Sequence, residues 1–349
     1  MKDRDIFALA ALQCVRGLNA AALLPLLRTL GGARRVWEAP AAELAAAGME
    51  RRTLAALERY RAKHAQEPER IAALCAEQAV SLVVLGEAEY PKSLAAIYQP
   101  PLVLYVRGNL PPDVECLGIV GARRFSRYGE GIAEKLGEEL VASGFCVVSG
   151  AARGIDSAAH RGALRTGRTV AVLGCGVDIA YPAENRRLLA DIVATGGAIV
   201  SEYAPGTPPL PAFFPARNRI ISGLSKGIIV VEAAERSGSL ITAQLALDEG
   251  RDVFAVPGSI YSVTSQGCNQ LIQQGAKLIT RARDVLEEYA WAAPPAAGAK
   301  EKAAGPRLSP EEKKVYALLS YELPQSVDDI ICQLHGSDAS NVAFLLLQM

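Results

Sequence analysis

Apolar positions in residues 1 to about 70 recur at intervals of three and four, in LAALQCV, AALLPLLRTL and RTLAALERYRA, which is the spacing of amphipathic helices. Gly17, the Gly31-Gly32 pair and Gly48 break that run into helix, turn, helix units. A small all-helical N-terminal domain over residues 1–75 is expected, serving either protein contact or contact with a DNA backbone. From about residue 80 the pattern changes to short, nearly unbroken apolar runs: CLGIVG (116–121), FCVVSG (145–150), TVAVLG (169–174), AIVSEY (198–203), GIIVVEA (227–233), DVFAVP (252–257) and AKLIT (276–280). Helical stretches such as YGEGIAEKLGEELVAS and LITAQLALDEG separate them. Strands without polar alternation are buried on both faces, so the pattern predicts an α/β domain over 76–290 with a doubly wound, mostly parallel, Rossmann-like sheet. The segment LVVLGEAEYPKSLAAIYQPPLVLYVRGNL is expected to add strands at its start.

Residues 291–308, rich in Ala, Pro, Gly and Lys without periodicity, read as a linker. In 309–349, PEEKKVYALLS, SVDDIICQL and DASNVAFLLLQM predict three short amphipathic helices with a helix-turn-helix rhythm.

Composition narrows the possible functions. The 37 Lys and Arg residues match 37 Asp and Glu, which excludes a diffuse polycation. Residues 1–80 hold 12 basic and 9 acidic side chains, 81–280 hold 18 of each, and 281–349 hold 7 and 10, so any anion site must be local. Cys14, Cys75, Cys116, Cys146, Cys175, Cys268 and Cys332 are scattered without C-x-x-C or zinc-type spacing, which points to a reducing cytoplasm and no metal. No export signal and no membrane span are expected, because no apolar run reaches about 18 residues.

Four near-matches to catalytic motifs fail on context. Gly223-Leu224-Ser225-Lys226-Gly227 leaves a helix and enters a strand, the reverse of a nucleophile elbow, and GALRTGRT (162–169) reverses the P-loop order in the same way. Gly174-Cys175-Gly176 lacks the third glycine of a dinucleotide fingerprint, so no nicotinamide cofactor is expected. His160, four residues from Asp156 on one helix, reads as part of a local pair rather than a catalytic triad.

The loops at the carboxyl ends of the strands remain. The loop opened by Gly121, with Arg123, Arg124 and Arg127, leads into a helix whose amides are expected to be free for phosphate. Gly150 to Asp156 forms a second such turn, with Asp156 as a helix cap. Ser237-Gly238-Ser239 opens another helix and offers hydroxyls and amides to an anion. Phe213, Phe214, Arg217, Asn218 and Arg219 place cations and an amide beside rings, a combination suited to single-stranded nucleic acid, with at least one ring left to the core. Arg123 and Arg217 are expected on surface loops.

GIVGARRFSRYG, VVSGAARGIDSAAHRGAL, TVAVLGCGVDIAYPAENRRL, FFPARNRIISGLS with SGSLITA, and GCNQLIQQGAKLI closely resemble the bacterial DNA-processing protein A family, DprA or Smf, in order from about 80 to 289. The flanks fit the family plan of a SAM-like or helix-hairpin-helix-like N-terminal domain and a C-terminal winged-helix-like module. The resemblance implies a cytoplasmic, non-enzymatic protein that binds single-stranded DNA, shields it and loads the RecA recombinase during natural transformation. It also implies a homodimer through the α/β domains and no cofactor. The implied strand-binding site comprises Gly121, Arg123, Arg124, Arg168, Asp178, Tyr181, Phe214, Arg217, Asn218, Arg219, Ser237, Gly238 and Ser239, with arginines on phosphates and Tyr181 on a base.

A winged helix continues into a two-stranded wing, whereas this sequence ends at Met349, so the wing is expected to be missing. From Val315 onward there is no Lys or Arg, and a partner-contact or vestigial role is expected there rather than DNA reading. The rival from another class is a nucleotide-processing enzyme of the lysine-decarboxylase-like phosphoribohydrolase type. Here SGSLITA stands in place of that group's glycine-rich loop and catalytic glutamate. A third alternative is a scaffold that contacts other proteins through its terminal modules.

Overall fold

The computed structural model describes residues 3–110, 115–289, 309–319, 326–334, 342 and 344–346. The proposed linker at 291–308 lies outside the described residues. Residues 1–293 form one compact unit and 294–349 another.

The first unit begins with α1 (Asp3–Gln13), α2 (Ala20–Leu30), α3 (Ala33–Glu38), α4 (Ala41–Ala46), α5 (Arg51–Lys63) and α6 (Glu67–Glu77). Asn19 caps α2, and Gly31, with φ 82°, ends it in the left-handed region where glycine is favoured. Then follow β1 (Ser81–Val84), α7 (Lys92–Ala95), β2 (Val103–Gly108), β3 (Cys116–Val120), α8 (Arg127–Ala142), β4 (Cys146–Ser149), α9 (Ile155–Ala163), β5 (Thr169–Val172), α10 (Arg186–Ala194) and β6 (Ala198–Ser201). The unit closes with α11 (Phe213–Leu224), β7 (Gly227–Val230), α12 (Gly238–Asp248), β8 (Asp252–Ala255), α13 (Gln266–Gln273), β9 (Lys277–Leu278) and α14 (Ala282–Glu288).

The described strands make one sheet in the order β1-β2-β6-β5-β4-β3-β7-β8-β9. From β6 to β9 every pairing is parallel. β1 and β2, from the approach segment, join antiparallel at one edge. Chain order runs outward from β3 in both directions, so β3 and β7 flank the switch point where the carboxyl-end loops diverge. One face of the sheet packs on α11 and α12, the other on α8, α9 and α14.

The N-terminal helices do not build a core of their own. Leu12, Leu23, Leu44, Leu57 and Ile71 share one buried cluster with Val103, Tyr105, Leu173 and Ile199 of the α/β region. Gln13 fastens that junction: its Nε2 donates to the Val103 and Glu202 carbonyls at 2.9 Å each, and its Oε1 accepts from Val103 N at 2.8 Å. The change of pattern near residue 75 therefore marks a change of element type inside a continuous core.

The motif residues rejected as catalytic have packing roles. Gly137 and Gly162 let α8 and α9 touch along their backbones, since a Cβ at Gly162 would overlap the Glu134 carbonyl. Ser225 is buried and donates to the Ile221 carbonyl at 2.7 Å. His160 does not pair with Asp156. Its Nδ1 lies 2.8 Å from Thr169 Oγ1, whose hydroxyl donates to the Val147 carbonyl, so the ring is the donor to Thr169.

In the second unit α15 (Pro310–Leu318) and α16 (Val327–Gln333) each open on a serine capping box. Val315, Ile330, Val342 and Leu345 form their small core. Among the described residues no helix is long and apolar enough to cross a membrane.

Burial pushes His160 from an ordinary 6.5 down to about 3, with the nearby Arg217 adding to the shift. The unfolded chain gains a proton below 6.5 that the folded chain refuses, so stability should fall as pH drops through that value toward 3. Urea unfolding between about pH 6.5 and 5 should show a loss approaching ~1.4 kcal/mol per pH unit, which His160→Gln flattens. Equal slopes in the two proteins would exclude His160 as the source.

Candidate nucleic-acid interface

Loops from the carboxyl ends of β3 and β7, with α9, the N-terminal half of α11 and Tyr181, enclose a cleft of about 720 Å³ at the switch point. It gathers Gly121, Arg123, Arg124, Tyr181, Phe214, Arg217, Asn218, Ser237, Gly238 and Ser239 from separate stretches of sequence. Close packing explains Gly121, where a Cβ would meet Ile155 at 2.8 Å.

The three other candidates fall elsewhere. Arg168 is exposed and immediately precedes Thr169, the first residue of β5, so it sits at the amino end of a strand whose carboxyl end faces the cleft. Both Asp178 carboxylate oxygens accept from Gly206 N at 3.0 Å, which ties the loop after β5 to the loop after β6. Arg219 points away from Asn218 and pairs with Glu202 at 2.5 Å. A helix separates neighbouring side chains by about 100°, so Arg217, Asn218 and Arg219 cannot all face one ligand.

Arg217 corrects a second expectation. It lies inside α11, not on a surface loop, and is 4% exposed. Its guanidinium donates to the Gly150 carbonyl at 2.7 Å and to the Val172 carbonyl, joining α11 to the ends of β4 and β5. Burial lowers its pKa to about 10, while Asp156 opposes that shift. Burial likewise raises the Asp156 carboxyl, against the pull of Arg217.

The helix N-termini at the cleft are not equally available. At α8 the Ser126 hydroxyl caps Gly129 N at 3.0 Å, and the buried Glu232 carboxylate accepts from Ser126 N at 2.9 Å and Ser126 Oγ at 2.6 Å. The amides expected to be free for phosphate thus already face a carboxylate from the end of β7. At α9, Asp156 accepts from Ala152 N at 3.3 Å. At α12 Ser237 caps, its Oγ 2.7 Å from Ser239 Oγ, and among the described residues no acidic side chain lies in the first turn of the helix. Asn218 Nδ2 reaches the Gly238 carbonyl at 3.4 Å and holds α11 against this open end.

Two residues that shape the cleft escape the sequence reading. Glu232 positions the arginine loop through Ser126, and Thr264 also donates to it at 3.3 Å. Its signal is an acid closing an apolar strand. Arg236 lines the cleft and is exposed. It stands one residue before the serine pair, which draws attention away from it.

Among the described residues Arg123, Arg124 and Arg236 have no carboxylate within ion-pair distance, whereas Arg153 is paired with Glu184 at 2.7 Å, Arg161 with Glu130 and Glu134, and Arg165 with Glu134 and Glu138. Rings adjoin one of these cations: Tyr181, 41% exposed, tilts against Phe214 at 5.3 Å, and the Arg123 guanidinium lies 5.7 Å from the Phe214 ring centre. Phe213 instead stacks on Tyr203 at 4.0 Å. The cleft therefore presents three unpaired arginines, one open helix end and an accessible ring. No group of His, Cys, Asp and Glu suited to a metal occurs among the described residues.

The family model described as DNA recombination-mediator protein A matches residues 81–290. The DNA processing protein DprA of Streptococcus pneumoniae is 50% identical over 209 residues, 57% of this chain and 71% of that protein. Its Bacillus subtilis counterpart is 44% identical over 222 residues, 63% and 74% of the two chains. Among solved structures, DNA processing protein A from Streptococcus pneumoniae superposes with TM-score 0.69 at 38% identity, covering 82% of this chain and 98% of that one. A Helicobacter pylori DNA processing protein A structure, described for its single-stranded DNA binding mode, gives TM-score 0.54 at 29% identity over 60% of this chain and 96% of that one.

Arg217→Ala should lower stability by about 3 kcal/mol in denaturant melts, because two carbonyls at strand ends lose a buried charged donor. Arg123→Ala, on an exposed loop, should change stability by less than about 0.5 kcal/mol. An undisturbed melt for Arg217→Ala would mean that its guanidinium is not a structural tie.

Proposed function

Because the chain belongs to the DNA recombination-mediator protein A family, we propose that its cleft holds single-stranded DNA and that the protein acts on that strand by binding, without catalysing a reaction. The observation that carries this reading is the convergence of Arg123, Arg124 and Arg236, unpaired, beside the exposed Tyr181 ring. Phosphates spaced along a strand suit such cations, and an unpaired base offers the face that a ring can stack on. Duplex DNA keeps its bases stacked inside and offers only the phosphate half of that match. Ser237, Gly238 and Ser239 add the amides of one open helix end to the phosphate side of the cleft. The likeness to the Helicobacter pylori protein, whose single-stranded DNA binding mode is described, supports the same reading.

The buried glutamate behind the arginine loop is consistent with binding without catalysis. Glu232 is 2% exposed, and both of its oxygens are engaged by Ser126. A carboxylate so committed is poorly placed to move protons on a nucleotide. On the family resemblance, the reading extends to a homodimer through the α/β unit, to shielding of incoming DNA, and to delivery of the strand to RecA recombinase in the cytoplasm.

Oligothymidylate should bind far more tightly than duplex of equal length, and log affinity should fall with log salt. Arg123→Ala/Arg124→Ala should cut binding about tenfold or more and reduce the salt slope by about 1.4, since each phosphate neutralised on a single strand contributes ~0.7 to that slope. Equal affinity for duplex, or an unchanged slope in a folded variant, would defeat the assignment of the cleft.

A further inference from the structure

The N-terminal helices hold a second cleft, of about 790 Å³, that the reading above does not use. Arg52, Ala56, Arg59 and Lys63 form its wall at intervals of four, three and four residues, so they lie on one face of α5. Facing them across Thr53 is the turn between α1 and α2, carrying Arg16 and Gly17. Gly17 has φ 93°, and a Cβ there would stand 3.7 Å from Thr53 Oγ1. Tyr60 and His64 also line the cleft, stacked on each other at 4.5 Å.

The charge here is one-sided. Among the described residues Arg16, Arg52, Arg59 and Lys63 have no carboxylate within ion-pair distance, and Glu50 is the only acid in the lining. Glu67, close by, is 3% exposed and already accepts from Tyr60 Oη at 3.1 Å and from Arg70 at 2.7 Å. Four cations lining one open cleft, with a stacked ring pair, fit a chain of phosphates better than a single anion, which would satisfy only one or two of them.

We propose that this cleft is a second nucleic-acid site, gripping the phosphodiester backbone of DNA through Arg16, Arg52, Arg59 and Lys63. The backbone is either a continuation of a bound single strand or a separate duplex. This surface is distinct from the α/β cleft, and either site can fail without the other.

The full-length chain and its Arg52→Ala/Arg59→Ala/Lys63→Ala variant are compared by fluorescence anisotropy on three probes: oligothymidylate of about 8 nucleotides, oligothymidylate of about 40, and a duplex of about 40 base pairs. Among the described residues none of the three side chains carries an ion pair, so the variant should keep the parent melting temperature. The expected result is unchanged binding of the short probe, with about tenfold weaker binding and a salt slope smaller by about 2 on a long probe. Loss confined to the long single strand identifies a continuing strand, and loss confined to the duplex identifies a separate one. Parent affinity and slope on both long probes, in a folded variant, would overturn the proposal. The short probe with Arg123→Ala/Arg124→Ala tests the α/β cleft separately.

Discussion

A guanidinium buried at the carboxyl end of a parallel sheet needs acceptors from the protein, and the arrangement around Arg217 follows from that constraint, which its Nη1 meets while its Nε has no partner among the described residues. Arg217 gives hydrogen bonds to Gly150 and Val172, the residues that end β4 and β5 or directly follow them. The approach is so close that a Cβ at Gly150 would meet Arg217 Nη2 at 2.6 Å and Asp156 Oδ2 at 2.7 Å. Only glycine fits there, and that requirement explains the SGAARG turn without invoking a ligand. With α11 tied down at Arg217, Phe214 and Asn218 stand one helical turn or less away, on the side that faces Arg123 and Gly238. The side chain that fixes α11 beside the cleft is thus a buried charge bonded to the strand ends.

The same logic sorts the remaining charges. Leu117 to Arg168 carries eight basic residues, an excess that suggests a basic surface. Folding pairs half of them: Glu139 meets Lys135, Glu184 meets Arg153, and α8 presents Glu130, Glu134 and Glu138 in register with Arg161 and Arg165 of α9. These exposed pairs contribute little to stability, roughly 0–1 kcal/mol each, yet they remove cations from the ligand field. Among the described residues Arg123, Arg124, Arg127 and Arg168 of that stretch are left without an ion pair, and Arg123 and Arg124 join Arg236 at the cleft where the loops diverge at the switch point. Glu232 and Asp156 then occupy the ends of α8 and α9, whereas the α12 end has no acid in its first turn. Net charge near zero and a locally cationic site are thus compatible.

The family comparison and the geometry agree on where the shared plan lies. The family match spans the α/β region, and the unit built by residues 1–293 extends that plan by sharing its core with six N-terminal helices. Gln13 shows how: one side-chain amide replaces the backbone partners that the β2 end and residue 202 would otherwise lack. The cationic wall of α5 is therefore carried on a helix set anchored to the sheet.

Periodicity alone determined the element order, the seven parallel strands and the doubly wound class, because burial on both faces demands unbroken apolar runs and two helical layers demand alternation. Strand-end glycines and the arginine loop were equally visible, since backbone approach and turn chemistry are local properties. Which cations stand unpaired at the cleft was decided by the tertiary structure. FFPARNR reads as two cations one residue apart, but the helix buries Arg217 in the cleft lining with its donors on two strand-end carbonyls, pairs Arg219 with Glu202 and sets Asn218 beside Gly238. Arg168 looks similar to Arg123 in sequence and lies at the amino end of its strand, while Glu232 looks like a strand terminus and holds the arginine loop. Charge is written in the sequence, but its direction depends on helix phase, strand polarity and partners more than a hundred residues away, and those exist only once the chain has folded.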